Sequence, residues 1–185
     1  LTAEIGLSGL KHYGGTIHEE WNPELRGLRG VRVYDEMRRS DPTVAVGLRA
    51  IGWILGQVNW TVEPGGTTPA DTEAAEFLDS CLGDMSHTWS KVIRDALTCL
   101  PFGWAFMEWT LKQRNGPSKD PPSRYDDGRL GWRKISLLGQ DSLSRWDIGP
   151  DGSLRGMVQQ PNQYGGTNLT EANIPISKAV LFRLD

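Results

Sequence analysis

The stretch from Trp89 to Gln113, WSKVIRDALTCLPFGWAFMEWTLKQ, changes its hydrophobic period part-way along. In its first half Trp89, Val92, Ile93, Ala96, Leu97 and Leu100 recur at intervals of three and four, which places them on one face of a helix. Ser86 stands upstream as the expected N-cap, and Pro101 with Gly103 ends the run. In the second half Ala105, Met107, Trp109 and Leu111 alternate with Phe106, Glu108, Thr110 and Lys112. Alternation of this kind predicts a strand over Trp104–Gln113 with the first set on the covered face.

Upstream, residues 31–39 read as a short helix with an arginine-rich outer side. Ser40-Asp41-Pro42 restarts the chain: Asp41 suits an N-cap, and Pro42 suits the first helical position, where no N–H is needed. The next helix runs to Gly56, with Val44, Leu48, Ile51 and Leu55 on one stripe and Trp53 and Ile54 widening it. Val58–Glu63 reads as a strand closed by Pro64-Gly65-Gly66, and Pro69–Gly83 as a helix with acids in its first turn. Downstream, residues 114–128 form a polar, proline-rich loop, and strand character resumes over Leu130–Leu138. Ser144–Ile148 and Ser153–Gln159 flank Pro150-Asp151-Gly152 as a hairpin, residues 160–173 are loop, and Ala179–Leu184 is a last strand. Helices first and strands later make an α+β class, with N-terminal helices packed on a mostly antiparallel sheet. Residues 1–29, with Gly14-Gly15 and Pro23, read as an irregular N-terminal arm, and 30–185 as one domain.

Composition sets the outer bounds. The chain has 185 residues, 38% hydrophobic and 23% charged, with a net charge of -3, ordinary for a soluble domain with a core of its own. Gly 22 and Pro 11 predict many turns. No stretch reaches the ~20 apolar residues that cross a bilayer. The start lacks a secretory pattern and an initiating Met, and the chain stops inside a predicted strand, so a fragment of a longer polypeptide is expected. Charge is segregated: residues 26–39 hold Arg26, Arg29, Arg32, Arg38 and Arg39, whereas residues 63–84 hold Glu63, Asp71, Glu73, Glu76, Asp79 and Asp84 and no base. Such alternation orients neighbouring subunits or simply solvates two faces.

Catalytic constellations are scarce. The three histidines are His12 and His18 in the arm and His87, expected on the surface in the first turn of the third helix. Glu19-Glu20 makes no ligand spacing with them. Gly65-Gly66-Thr67-Thr68 lacks the lysine of a phosphate loop and reads as a turn. The acidic pairs Asp126/Asp127 and Asp147/Asp151 sit where Asp favours turns. Cys81 and Cys99 read as reduced thiols inside helices. No catalytic, metal-binding or cofactor-binding residue is assigned. The eight tryptophans, Trp21, Trp53, Trp60, Trp89, Trp104, Trp109, Trp132 and Trp146, divide between core positions and anchors for neighbouring proteins.

Several segments carry a resemblance. Tyr34-Asp35-Glu36-Met37, then Asp41-Pro42-Thr43-Val44, then Trp60-Thr61-Val62-Glu63-Pro64 follow one another around a helix. Trp89–Ala96 leads to Phe102-Gly103 and to Glu108-Trp109. Arg145-Trp146-Asp147, Asp151-Gly152, Gln159-Gln160 and Ile174-Pro175-Ile176-Ser177-Lys178 close the series. In this order the segments resemble the portal proteins of tailed bacteriophages, the Mu-like class, over about residues 30–185. The resemblance implies a wing-like α+β domain of a structural subunit, not an enzyme and without a cofactor. It implies a homo-oligomeric ring, typically of twelve, at one capsid vertex of the virion, assembled in the host bacterial cytoplasm. Implied partners are the terminase large subunit, capsid or scaffold proteins, head-completion proteins and double-stranded DNA passing without sequence preference, with no membrane. Mild acidity agrees with a wall past which DNA slides. Two other classes remain: a phage nuclease or hydrolase domain, needing for example Asp126/Asp127 with His87, and a monomeric tryptophan-rich binding module.

Overall fold

The computed structural model describes residues 12–13, 16–17, 20–160 and 170–184. His18 and most of the expected loop at 160–173 lie outside these. β1 (His12–Tyr13) pairs antiparallel with β2 (Thr16–Ile17), and a 3-10 turn at Pro23–Leu25 leads into the helices. These are α1 (Gly27–Ser40), α2 (Pro42–Gly56), α3 (Pro69–Gly83), α4 (Trp89–Ala96) and the single turn α5 (Cys99–Phe102). The strands are β3 (Trp104–Asn115), β4 (Asp126–Leu138), β5 (Leu143–Ile148), β6 (Leu154–Gln159), β7 (Ala172–Pro175) and β8 (Ala179–Arg183). The class is α+β, with helices N-terminal to the sheets.

The strands form two antiparallel sheets, ordered β4-β3-β8 and β5-β6-β7. The helix-to-strand reversal that decides the architecture is made at Gly103, whose φ of 78° is left-handed and lets its N–H reach Cys99 O at 2.7 Å. Immediately after it Ala105, Phe106 and Met107 are all fully buried, so β3 is covered on both faces here. Met107 packs with Val92 and Ala96 of α4 and Ile135 of β4. Phe106 points into a second cluster with Met157 of β6 and Ile174 of β7. Trp104 and Trp146 meet edge-on within that cluster, 4.9 Å between centroids. The result is three layers, helix on sheet on sheet, with β3 in the middle.

Where sequence and structure differ, the reasons are local. The third helix is not one long element: it breaks at Leu97–Thr98 into α4 and α5. A continuous helix would drive the Pro101 ring into the Leu97 carbonyl, and the Thr98 hydroxyl donates back to Asp95 O at 2.7 Å. The N-cap is Thr88, whose Oγ1 accepts from Lys91 N–H; Ser86 instead donates its backbone N–H to Arg133 O of β4. Val58–Glu63 forms no strand, since among the described residues no strand lies beside it to pair, and Trp60 turns edge-on to Trp89 at 6.2 Å. Leu111 does not share the covered face: the β3–β4 register shifts between Thr110 and Leu111, and beyond it Lys112 and Arg114 are buried while Leu111 is 43% exposed. The helices at 42–56 and 69–83 match in both bounds, and the hairpin at Pro150-Asp151-Gly152 forms as β5–β6. β7 is an addition.

Removing a fully buried ring should cost far more than trimming the exposed leucine on the same strand. Phe106→Ala is expected to destabilise the chain by about 3–5 kcal/mol, and Leu111→Ala by less than about 1 kcal/mol. Chemical denaturation followed by circular dichroism checks the pair; equal losses would contradict the assigned faces.

Candidate interaction surface

An internal charge network lies at the end of α3. Asp84 caps α3, and its side chain is 3% exposed against 4% for Lys112 of β3. Lys112 Nζ lies 3.0 Å from Asp84 Oδ2 and donates to the carbonyls of Asp84 and Pro122, each at 2.6 Å. Asp84 accepts in turn from the Ser123 hydroxyl at 2.7 Å and Arg124 N–H at 2.8 Å. Both charges are therefore fully partnered, which a buried pair requires. Burial alone would raise the Asp84 pKa, but the Arg124 and Ser123 hydrogen bonds and the Lys112 ammonium outweigh it and hold the carboxyl below its ordinary value. Two residues further along β3, Arg114 stacks 3.9 Å from the Tyr125 ring centroid and pairs with Asp127 Oδ2 at 2.9 Å. It also donates to Ser80 Oγ of α3 at 2.8 Å. α3, β3 and the loop 116–125 are thus locked by ionic contacts where the loop offers no apolar core.

That network takes up Asp127, one of the residues a hydrolytic reading would need. Asp127 serves Arg114 and also accepts from Arg129 N–H at 3.0 Å. Asp126 opens β4 opposite Asn115. His87 lies in the bend before Thr88, half-buried rather than exposed, with Nδ1 3.4 Å from Ser86 Oγ and Nε2 buried without a partner among the described residues. Asp147 accepts from Asn173 and Asp151 from Ser153, both local turn and strand contacts. His12 sits in β1. Thr68, at the end of the glycine turn, caps α3 through a reciprocal bond with Asp71. Cys81 is buried and Cys99 half-buried, both free. Among the described residues no three His, Cys, Asp or Glu side chains are grouped to hold a metal ion. No helix there is long and apolar enough to cross a membrane.

The unusual surface is α2. Asp41 Oδ1 accepts from Thr43 and Val44 N–H and starts the helix as read from sequence. Yet no residue of α2 is buried, although the helix carries a single charge, Arg49. Its half-covered side, Val44, Leu48, Gly52 and Leu55, faces α1 and α4. Its outward side presents Val46, Trp53 and Ile54, respectively 63%, 78% and 69% exposed. These positions recur at helical spacing and form one apolar stripe. Beside it runs a groove of about 1010 Å³ between α1–α2 and α4–α5. Trp53 and Leu48 line it together with Arg38, Arg39, Arg49 and Arg94. Arg38 and Arg39 both pair with Asp35, whereas Arg49 and Arg94 are exposed and take part in no ion pair among the described residues. Of the tryptophans, Trp21, Trp53 and Trp60 are exposed and the other five at least partly covered. Apolar stripes of this kind on a folded surface are commonly covered by other chains. The sequence signal was Trp53 and Ile54 widening the stripe of α2.

A comparison with protein families matches residues 31–184 to the portal protein of Mu bacteriophage. The chain belongs to this family. Portal proteins are structural proteins of the phage. A search of curated proteins gives no match.

The buried pair sets a pH dependence. Because the Asp84 pKa is depressed in the fold, its contribution is complete above the ordinary carboxylate value of 3.8 and is lost as pH falls through the lower folded value. Lys112→Met, which strands the Asp84 charge, is expected to cost about 3–5 kcal/mol at pH 7. The loss should shrink below pH 4, as Asp84 becomes protonated, and the double variant Asp84→Leu/Lys112→Met should recover most of it. Urea unfolding at both pH values measures this.

Proposed function

We propose that this chain is wing material of a phage portal: a subunit that closes into a ring at one capsid vertex, through which double-stranded DNA is packaged and ejected. The match to the portal family over residues 31–184 carries this reading. Residues 30–185 act as the wing-like domain and residues 1–29 as an arm leading into it. The ring, typically of twelve in this family, receives the terminase large subunit during packaging, sits among capsid or scaffold proteins, and is later sealed by head-completion proteins. It assembles in the host cytoplasm and ends in the virion.

The physical argument is one of shape and association. A conduit works by letting DNA slide, and a chain with a net charge of -3 does not grip phosphates over its whole surface. The outward apolar stripe of α2 supports assembly with other chains, since nothing among the described residues covers it. The function then needs no bond-making step, and Asp127, Asp84 and Lys112 serve to keep the wing rigid.

The full-length polypeptide at micromolar concentration should form annular particles in negative-stain electron microscopy. Uniform monomers without aggregation would overturn the ring and favour a monomeric binding module. Magnesium-dependent cleavage of DNA, abolished by Asp126→Asn, would overturn the structural reading in favour of a nuclease.

A further inference from the structure

The groove beside α2 is basic where it is unpaired. Arg49 of α2 and Arg94 of α4 stand exposed at its wall, flanked by Trp53. Their counterpart is on another helix of the same chain. Glu73, Glu76 and Asp79 follow one another at three-residue steps along α3, all exposed, which sets them in one acidic stripe. Glu73 is engaged by Arg129, but Glu76 and Asp79 take part in no ion pair among the described residues. Leu78, between them in sequence, is 38% exposed. No residue of α3 lines the groove, so the two surfaces are separate patches of opposite sign.

We infer that the groove between α1–α2 and α4–α5 receives α3 of a second copy of this chain, with Glu76 and Asp79 against Arg49 and Arg94 and with Trp53 and Ile54 over Leu78. Two different patches of one chain, complementary to each other, make a head-to-tail contact, and repetition of such a contact closes a ring or grows a filament. An isologous dimer would need both patches in one two-fold face so that the same pairs form twice, whereas a head-to-tail contact uses each patch once. The apolar residues supply the desolvated centre and the charge pairs the register, as Trp and Arg commonly do at interfaces. This inference rests on the ring reading above and names the surface that mediates it.

The test uses charge reversal in the full-length polypeptide, read by mass photometry over a concentration series. Arg49→Glu/Arg94→Glu and, separately, Glu76→Arg/Asp79→Arg should each weaken assembly by about tenfold or more, since like charges then oppose each other. The quadruple variant carrying both reversals should assemble again. Trp53→Ser should weaken assembly without altering the charge pairing, and raised salt should weaken the unmodified assembly. All five positions are exposed, so circular dichroism melts should stay unchanged; variants that lose assembly only by unfolding would overturn the inference. Rings that form equally well in every variant would overturn the inference and leave the ring reading standing. An unmodified protein that never assembles would remove both. Variants that assemble normally yet fail to enter capsids would assign the groove to a capsid protein and likewise overturn the inference.

Discussion

A lysine ammonium placed in the interior must find a partner for every proton, and that constraint organises the helix-bearing side of this molecule. Lys112 meets it with the Asp84 carboxylate and two carbonyls, one from the end of α3 and one from the loop 116–125. The loop offers Ser123 and Arg124 N–H to the same carboxylate. Three segments distant in sequence are thereby brought to one point. A proline-rich loop that would otherwise be solvated is fastened to β3 by these polar contacts and by Tyr125 stacked on Arg114. Such a pair adds little net stability over a well-packed apolar substitute, but it tolerates few alternative arrangements. Its contribution is therefore definition of geometry, which an assembly subunit needs more than excess stability.

The opposite side of β3 is held by different physics. Phe106, Met157 and Ile174 join the two sheets through ordinary apolar burial, with Trp104 and Trp146 at the rim. Because Met107 turns the other way, toward α4, a three-residue run commits β3 to both layers at once. The charge network lies further along β3 and keeps α3 on β4, while α4 fixes the groove wall that carries Arg94. The groove and α3 are thereby displayed on one framework, a precondition for any contact that repeats at a constant angle.

Much of this was legible in the residues. Asp41-Pro42 fixed the start of α2, Pro69 and Gly83 bounded α3, and the Asp-Gly turn placed β5–β6, because capping and turn chemistry act within a few residues. Alternation along Trp104–Gln113 predicted β3, but it assumed that charge means solvent. Beyond the register shift the buried positions are Lys112 and Arg114, and only distant partners, Asp84 and Asp127, make that affordable. Trp60-Thr61-Val62 had a strand's pattern without a strand beside it, and pairing is a property of the neighbour. The long helix read from Trp89 to Leu100 ignored the reach of Pro101 back to Leu97.

The surface of α2 was the hardest to read, and its difficulty is informative. A helix rich in Val, Leu, Ile and Trp with a single charge carries the signature of an element covered on all sides. In the isolated fold it is covered on none fully, which leaves sequence and structure in disagreement over where solvent lies. Apolar patterning records burial in the working state of a protein, whereas a single chain shows only the part of that burial it can supply itself. On α2 the exposed apolar residues share one helix face and sit beside two arginines with no intrachain ion pair among the described residues, which is the form of a missing neighbour rather than of a weak core. Under the ring proposed above, a second chain over α2 would relieve this imbalance.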